Sequence, residues 1–208
     1  MDVEDRSPIR IVHSRFDLKT WLERTPTADE ARPGQCPACQ APGRPLGERL
    51  GLWGHGLRPR QQRGPLDPEG PPQTVVLSAR RYRCTRCRAI VLVVPRGVVS
   101  RRHYAAAAIA LALALYGWLG LPLPAVRRRV SPWRVMGTAA ATGWATLVRW
   151  VRAARRGALL GCVRPCPQDF TLRQVAERAA TTLSAFALPR EAAAGPEAAA
   201  FHGGMRMA

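Results

Sequence analysis

Four of the six cysteines fall into two Cys-x-x-Cys pairs, Cys36-Pro37-Ala38-Cys39 and Cys84-Thr85-Arg86-Cys87. Two cysteines flanking a two-residue turn aim both sulfurs at one point, so two such pairs supply the ligand set of a tetrahedral structural Zn2+. Four thiolates fill the coordination sphere and leave no open position for a substrate, so the expected role of the metal is structural. Pro37 and Ala38 suit the tight turn. The 44 residues between the pairs exceed the spacing of compact ribbons, but loop-closure entropy grows only logarithmically. The excess costs about 0.8 kcal/mol, against about 10–16 kcal/mol supplied by a structural zinc.

Paired disulfides and a redox dithiol are the competing readings. Disulfides need an oxidising compartment, whereas the chain begins Met-Asp-Val-Glu-Asp, acidic and without an apolar signal segment. A redox Cys-x-x-Cys opens a helix, and Cys84 instead follows a strand-like run rich in arginine. Cys162 and Cys166 stand apart with no partners at matching spacing.

The elements that must hold the cysteines read as follows. Residues 1–33 form a small cap: Ile9, Ile11 and His13 alternate as in a strand, and Asp17 to Arg24 makes one or two helical turns with Leu18, Trp21 and Leu22 inward. His13 is read as a surface or packing residue, since four cysteines already fill the metal. Residues 34–100 form the ribbon. Leu50 to Arg60 is a glycine-rich strand whose His55 is read as facing solvent or a phosphate in preference to serving as an alternative ligand, and the prolines and glycines from Arg63 to Gln73 make an exposed hairpin tip. Thr74 to Ser78 returns as a strand, and Ala89 to Val94 is the last strand before Pro95. Three or four short antiparallel strands around one metal are expected.

Charge is concentrated. The chain has 208 residues and a net charge of +18, and Arg80 to Arg164 carries 17 arginines and no acid. One-sided charge of this kind selects a polyanion, nucleic acid or an anionic membrane surface. Arginine codons in a GC-rich genome explain arginine over lysine, though not the missing acids.

Tyr104 to Val126 contains no charged residue and is long enough to span a bilayer. Its alanine content, Gly117, Gly120, Pro122 and Pro124, and arginines on both flanks argue against insertion. The expected form is a helix from about Arg102 to Trp118, apolar nearly all round and central to a bundle. Pro124 opens a short helix to Val130, Ser131-Pro132 caps another, and Thr142 caps a last one from Gly143 to about Arg156. In that last helix Trp144, Leu147, Val148 and Val151 form a buried stripe, while Arg149, Arg152 and Arg156 cluster elsewhere. A solvated cationic face is the plain reading, and the basic surroundings favour contact with DNA. One more helix is expected within residues 158–188, with Leu172, Val175, Ala179 and Leu183 inward, and a disordered tail over 189–208.

The run Arg80-Arg81-Tyr82-Arg83-Cys84-Thr85-Arg86-Cys87, continuing through Val94-Pro95 to Arg101, Arg102 and Tyr104, resembles the zinc-ribbon module at the front of bacterial insertion-sequence transposases. Cys36 to Cys39 with Gly54-His55-Gly56 adds to the likeness, and Trp144 to Arg152 is similar to the Thr-Leu-x-Arg-Trp helix of the helix-turn-helix that follows such ribbons. The resemblance covers residues 34–156 and implies binding of double-stranded DNA by ribbon and helices together. It does not imply transposition, because the three metal-binding carboxylates of a catalytic domain have no counterpart: the acids after Glu69 are Asp169, Glu177, Glu191 and Glu197.

The fold expected is therefore α+β, a four-cysteine ribbon followed by an all-α helix-turn-helix-like domain over 101–157. The function expected is zinc-dependent DNA binding without enzymatic activity, in the cytoplasm at the nucleoid. Arg80, Arg81, Arg83, Arg86 and Arg88 are assigned to phosphates at the second knuckle, with Arg101, Arg102, Arg127, Arg128 and Arg129 as further DNA contacts. Arg149 and Arg152 are assigned to base edges, with Arg156 beside them. A second copy of the chain or a separate transposase subunit completes the partners. The alternative is a membrane-associated or protein-interaction ribbon that uses Tyr104 to Val126.

Overall fold

The apolar, mostly β-branched run Ile90-Val91-Leu92-Val93-Val94 becomes one of the two inner strands of a four-stranded sheet. The structure, a computed structural model, describes residues 9–134, 136–137 and 143–207. These residues form a mixed α/β chain that divides into two compact units: residues 1–60 with 76–96, and residues 61–75 with 97–208.

The first unit is built on β1 (Arg10–Asp17), the greater part of β2 (Leu52–Gly64) and of β3 (Gln73–Cys84), and β4 (Ile90–Arg96), in the order β1-β4-β3-β2. Val91 to Pro95 are all buried, as expected of a strand paired on both edges and covered on both faces. β3 is antiparallel to β4, with Tyr82 opposite Val91, but β1 pairs parallel to β4, Ile11 beside Leu92 and His13 beside Val94. This corrects the expected separate cap over 1–33 and the purely antiparallel ribbon. β1 lies some eighty residues before its partner in sequence, a distance at which a local pattern carries no pairing signal. β4 also continues through Pro95 to Arg96. The register between His13 and Asp17 slips there, so the missing proline N–H falls at an irregularity in the ladder.

Helix α1 (Leu18–Glu23) follows β1, with Asp17 as its N-cap: a carboxylate oxygen accepts from the Thr20 amide at 2.9 Å. Trp21 is 1% exposed and its indole N–H donates to Ser78 O at 3.0 Å. Tyr82 and Arg80 tie the chain after α1 to β3, donating to Ala28 O (2.7 Å) and Pro26 O (2.6 Å).

The second unit holds α2 (Ala106–Gly117), α3 (Leu123–Val130), α4 (Ala145–Arg155), α5 (Leu172–Ser184), α6 (Pro189–Ala192) and α7 (Pro196–Arg206). Alanine and leucine give α2 high helix propensity, and every residue from Ala106 to Leu115 is buried, against α3, α4, α5 and α7. Burial of Ile109, Leu111 and Leu113 contributes about 1.5–3 kcal/mol each. Residues Tyr104 to Leu115 of the uncharged segment are thus enclosed by protein, and no helix among the described residues is long and apolar enough to cross a membrane.

Other expectations change here. The tail expected to be disordered over 189–208 carries two helices, and Ala198, Ala199, Ala200, Phe201, Gly203 and Gly204 are buried in α7. Small side chains look like low complexity in sequence, yet they let helices approach at backbone distance. A Cβ on Gly204 would lie 2.5 Å from that of Ala110, and one on Gly203 would collide with Leu183 O. The hairpin tip expected to be exposed belongs to the second unit, with Gln62, Gly64 and Pro65 buried. Ser131 ends α3 instead of capping a new helix; its hydroxyl accepts from Tyr104 OH at 2.9 Å and from the Trp133 amide at 3.4 Å. The stretch expected to lead from α3 to the last helix falls in part on residues 135 and 138–142, which lie outside the described residues. The expected cap Thr142 lies outside the described residues. The extra helix α5 starts at a Thr171–Gln174 capping box and packs against α2, part of the same core.

Candidate metal centre

The two cysteine pairs occupy knuckles of the same backbone design. In the first, the Cys36 amide donates to Ala41 O (2.8 Å) and the Gln40 amide to Cys36 O (2.9 Å). In the second, the Cys84 amide donates to Ala89 O and the Arg88 amide to Cys84 O, both at 3.0 Å. The residue after the second cysteine turns left-handed in each, Gln40 at φ 61° and Arg88 at φ 60°. This reversal sends the chain back across the pair, so that both sulfurs emerge on one side.

The knuckles are joined by backbone. Gly51 N donates to Gly43 O at 3.0 Å, and Gly51 O accepts from the Thr85 amide (2.9 Å) and hydroxyl (3.2 Å). Glycine is required by proximity: a Cβ on Gly51 would overlap Pro42 O, and one on Gly43 would overlap Pro33 O. These links bring the four sulfurs of Cys36, Cys39, Cys84 and Cys87 within 4.8 Å of one another. Cys36 Sγ is 3.7 Å from Cys87 Sγ, and Cys39 Sγ is 3.7 Å from Cys84 Sγ. Those distances are far beyond a disulfide bond of about 2.05 Å, and all six cysteines are free.

The four-cysteine cluster could hold a metal ion. A hydrogen bond with the Ala89 backbone draws the Cys87 thiol down, but burial and the hydrogen bonds among the four sulfurs push it up to about 12. Four adjacent thiols cannot all ionise without a cation between them, and metal binding releases those protons. His13 is half-buried and His55 exposed, and neither joins the cluster.

The arginines named from sequence divide by surroundings. Around the second knuckle Arg83, Arg86 and Arg88 are exposed, Arg81 is half-buried, and Arg80 is held by Pro26 O. In the other unit Arg101, Arg128, Arg149, Arg152 and Arg156 are exposed, with Arg149 donating to the Thr146 hydroxyl at 3.2 Å, and Arg102 is half-buried. Arg127 is a correction. It shares the inner face of α3 with Val126 and Val130, is 8% exposed, and donates to Gly143 O at 3.2 Å. Arg129 is partly buried and donates to Pro68 O at 3.0 Å. In α4, Leu147, Trp150 and Val151 are buried and Val148 half-buried, so the arginine face points outward as the spacing predicts.

Sequence reasoning missed Gly43, Gly51, Thr85 and the two left-handed residues. The signal was present as a repeat: Cys36-Pro-Ala-Cys-Gln-Ala41 and Cys84-Thr-Arg-Cys-Arg-Ala89 share the pattern Cys-x-x-Cys-x-Ala. The chain matches none of the protein-family models, curated proteins or solved structures with which it was compared.

Proposed function

We propose that the chain is a zinc-dependent binding protein for double-stranded DNA, in which the four-cysteine knuckles act as a rigid ribbon and carry no catalysis. Sulfurs at about 2.3 Å around a tetrahedral zinc are about 3.8 Å apart, and the two 3.7 Å pairs suit that geometry. Cys36, Cys39, Cys84 and Cys87 hold the ion. It supplies charge neutralisation and cross-linking, and the closed sulfur shell leaves no site for substrate.

The observation that carries the DNA reading is the set of exposed guanidiniums on the metal-binding knuckle itself, Arg83, Arg86 and Arg88, in a stretch from residue 80 to 164 with no carboxylate. Arginine forks pair with phosphate oxygens in a bidentate manner, and a knuckle fixed by metal presents them without further ordering cost. Arg149, Arg152 and Arg156 on α4 form a second cationic face. The likeness to transposase ribbons supports the same reading.

The test is a titration of the zinc-loaded protein against random-sequence duplex at several salt concentrations, with Cys84→Ser and Cys87→Ser alongside. Tight binding with a steep salt slope, lost in both variants, is expected. Absence of binding by the wild type at low salt overturns the reading.

A further inference from the structure

Beyond α3 the chain makes a feature that duplex binding does not use. Ser131, buried and fixed by Tyr104, directs the following residues outward: Trp133 is 60% exposed and Met136 88% exposed. With Arg127, Arg128 and Arg134 they line an open cavity of 630 Å³ that has no carboxylate among the described residues of its wall. The Arg63 guanidinium carbon lies 4.2 Å from the Trp133 ring centroid, a cation–π contact that holds the indole from one side.

The exposed indole is braced by Arg63 and stands beside a second exposed apolar side chain, Met136. Its surroundings select the occupant. The volume lies in the range of small-ligand sites. Arg128 and Arg134 ask for an anion. The open part of the indole asks for a planar π system. A nucleotide offers both in one unit, phosphate beside base, and bases stack on aromatic side chains whatever their sequence. In an intact duplex the base faces are already stacked, so the nucleotide must be unpaired.

We infer that the Trp133 cavity takes an unpaired nucleotide of DNA, its base stacked on the indole and its phosphate met by Arg128 and Arg134. The inference rests on the DNA-binding reading and gives it a preferred substrate: a duplex with a single-stranded end or an opened base pair. Arg127, committed to Gly143 O, lines the wall and holds Gly143 in place.

The test uses the full zinc-loaded chain and three labelled duplexes of the same sequence: blunt, with a short thymine overhang, and with an overhang of equal length made of abasic sites. The thymine overhang is expected to bind about five- to a hundred-fold tighter than the abasic one. Trp133→Ala, a change at an exposed side chain, removes that difference and leaves blunt-duplex affinity unchanged, while Trp133→Phe keeps most of it. Equal binding of the thymine and abasic overhangs by the wild type overturns the inference, as does a difference that survives Trp133→Ala. Loss of blunt-duplex binding with the base-dependent difference intact refutes the duplex reading and leaves this one standing.

Discussion

Replacing Gly51 with alanine tests whether the backbone link between the knuckles sets the metal site. Gly51 has no unusual φ, so the effect comes from space alone: the new methyl would overlap Pro42 O, a backbone atom that cannot swing aside. Relief requires the 42–43 and 51–52 segments to part. That movement strains the packing, at about 1–3 kcal/mol. It also breaks the bonds from Gly51 N to Gly43 O and from the Thr85 amide to Gly51 O, at about 0.5–1.5 kcal/mol each. The sum is about 2–6 kcal/mol. Because metal binding and folding of such a site are linked, the same free energy appears as weaker metal binding, about 30- to 20,000-fold. The assay is competition for zinc with a chromophoric chelator, paired with a urea melt. Gly34→Ala is the control, since no atom lies within 4 Å of its Cβ, and it stays within about 0.5 kcal/mol of the wild type. A Gly51→Ala protein with wild-type metal affinity and urea midpoint would refute the reasoning.

Other consequences are accessible to standard measurements. Chelation of the metal is expected to abolish hydrogen-exchange protection in β3 and β4 while α2 keeps its own, because a structural zinc contributes about 10–16 kcal/mol and α2 is closed by helices; simultaneous loss in α2 would count against it. Arg149→Ala and Arg152→Ala are each expected to lower the salt slope of DNA binding by about 0.9 if they meet phosphate, or to cost about 1–3 kcal/mol with relaxed sequence preference if they meet bases. Unchanged affinity, slope and preference in both would remove α4 from the interface. Glu191 lies below the usual carboxylate range because Arg206 donates to both its oxygens at 2.8 and 2.9 Å, with burial opposing. A depressed folded value means that its stabilisation is complete above the unfolded value near about 4.3 and is lost as pH falls from there toward the folded one. Thermal melts from neutral pH down to acid should therefore fall more steeply for the wild type than for Glu191→Gln, and parallel curves would contradict this.

What could be read from sequence was local. Cys-x-x-Cys spacing, the run at Ile90 to Val94, the enclosed helix at Ala106 and the two-faced helix at Ala145 each declare themselves within a dozen residues, through turn chemistry or a period of 2 or 3.6. The misses share a different property. β1 beside β4, Gly204 against Ala110 and Gly51 beside Pro42 are fixed by segments meeting in space. Arg127 looked like one of three equivalent arginines in Arg127-Arg128-Arg129, but a helix turns 100° per residue and placed one of them on the inner face with Val126 and Val130.

The partnership of α2 with α7 has a consequence for biosynthesis. Some eighty residues separate the end of one helix from the start of the other, so at about 5–20 residues per second the ribosome holds α2 without its final cover for roughly 4–16 s. During that interval a charge-free helix of alanine, isoleucine and leucine has a side open to any other nascent chain. Apart from Phe201, the residues buried in its late neighbour are alanines and glycines, and Gly204 sits directly against Ala106 and Ala110. Closure therefore depends on fit, and a ribosome that stalls before Pro196 releases a chain that chaperones and proteases can recognise by its open flank.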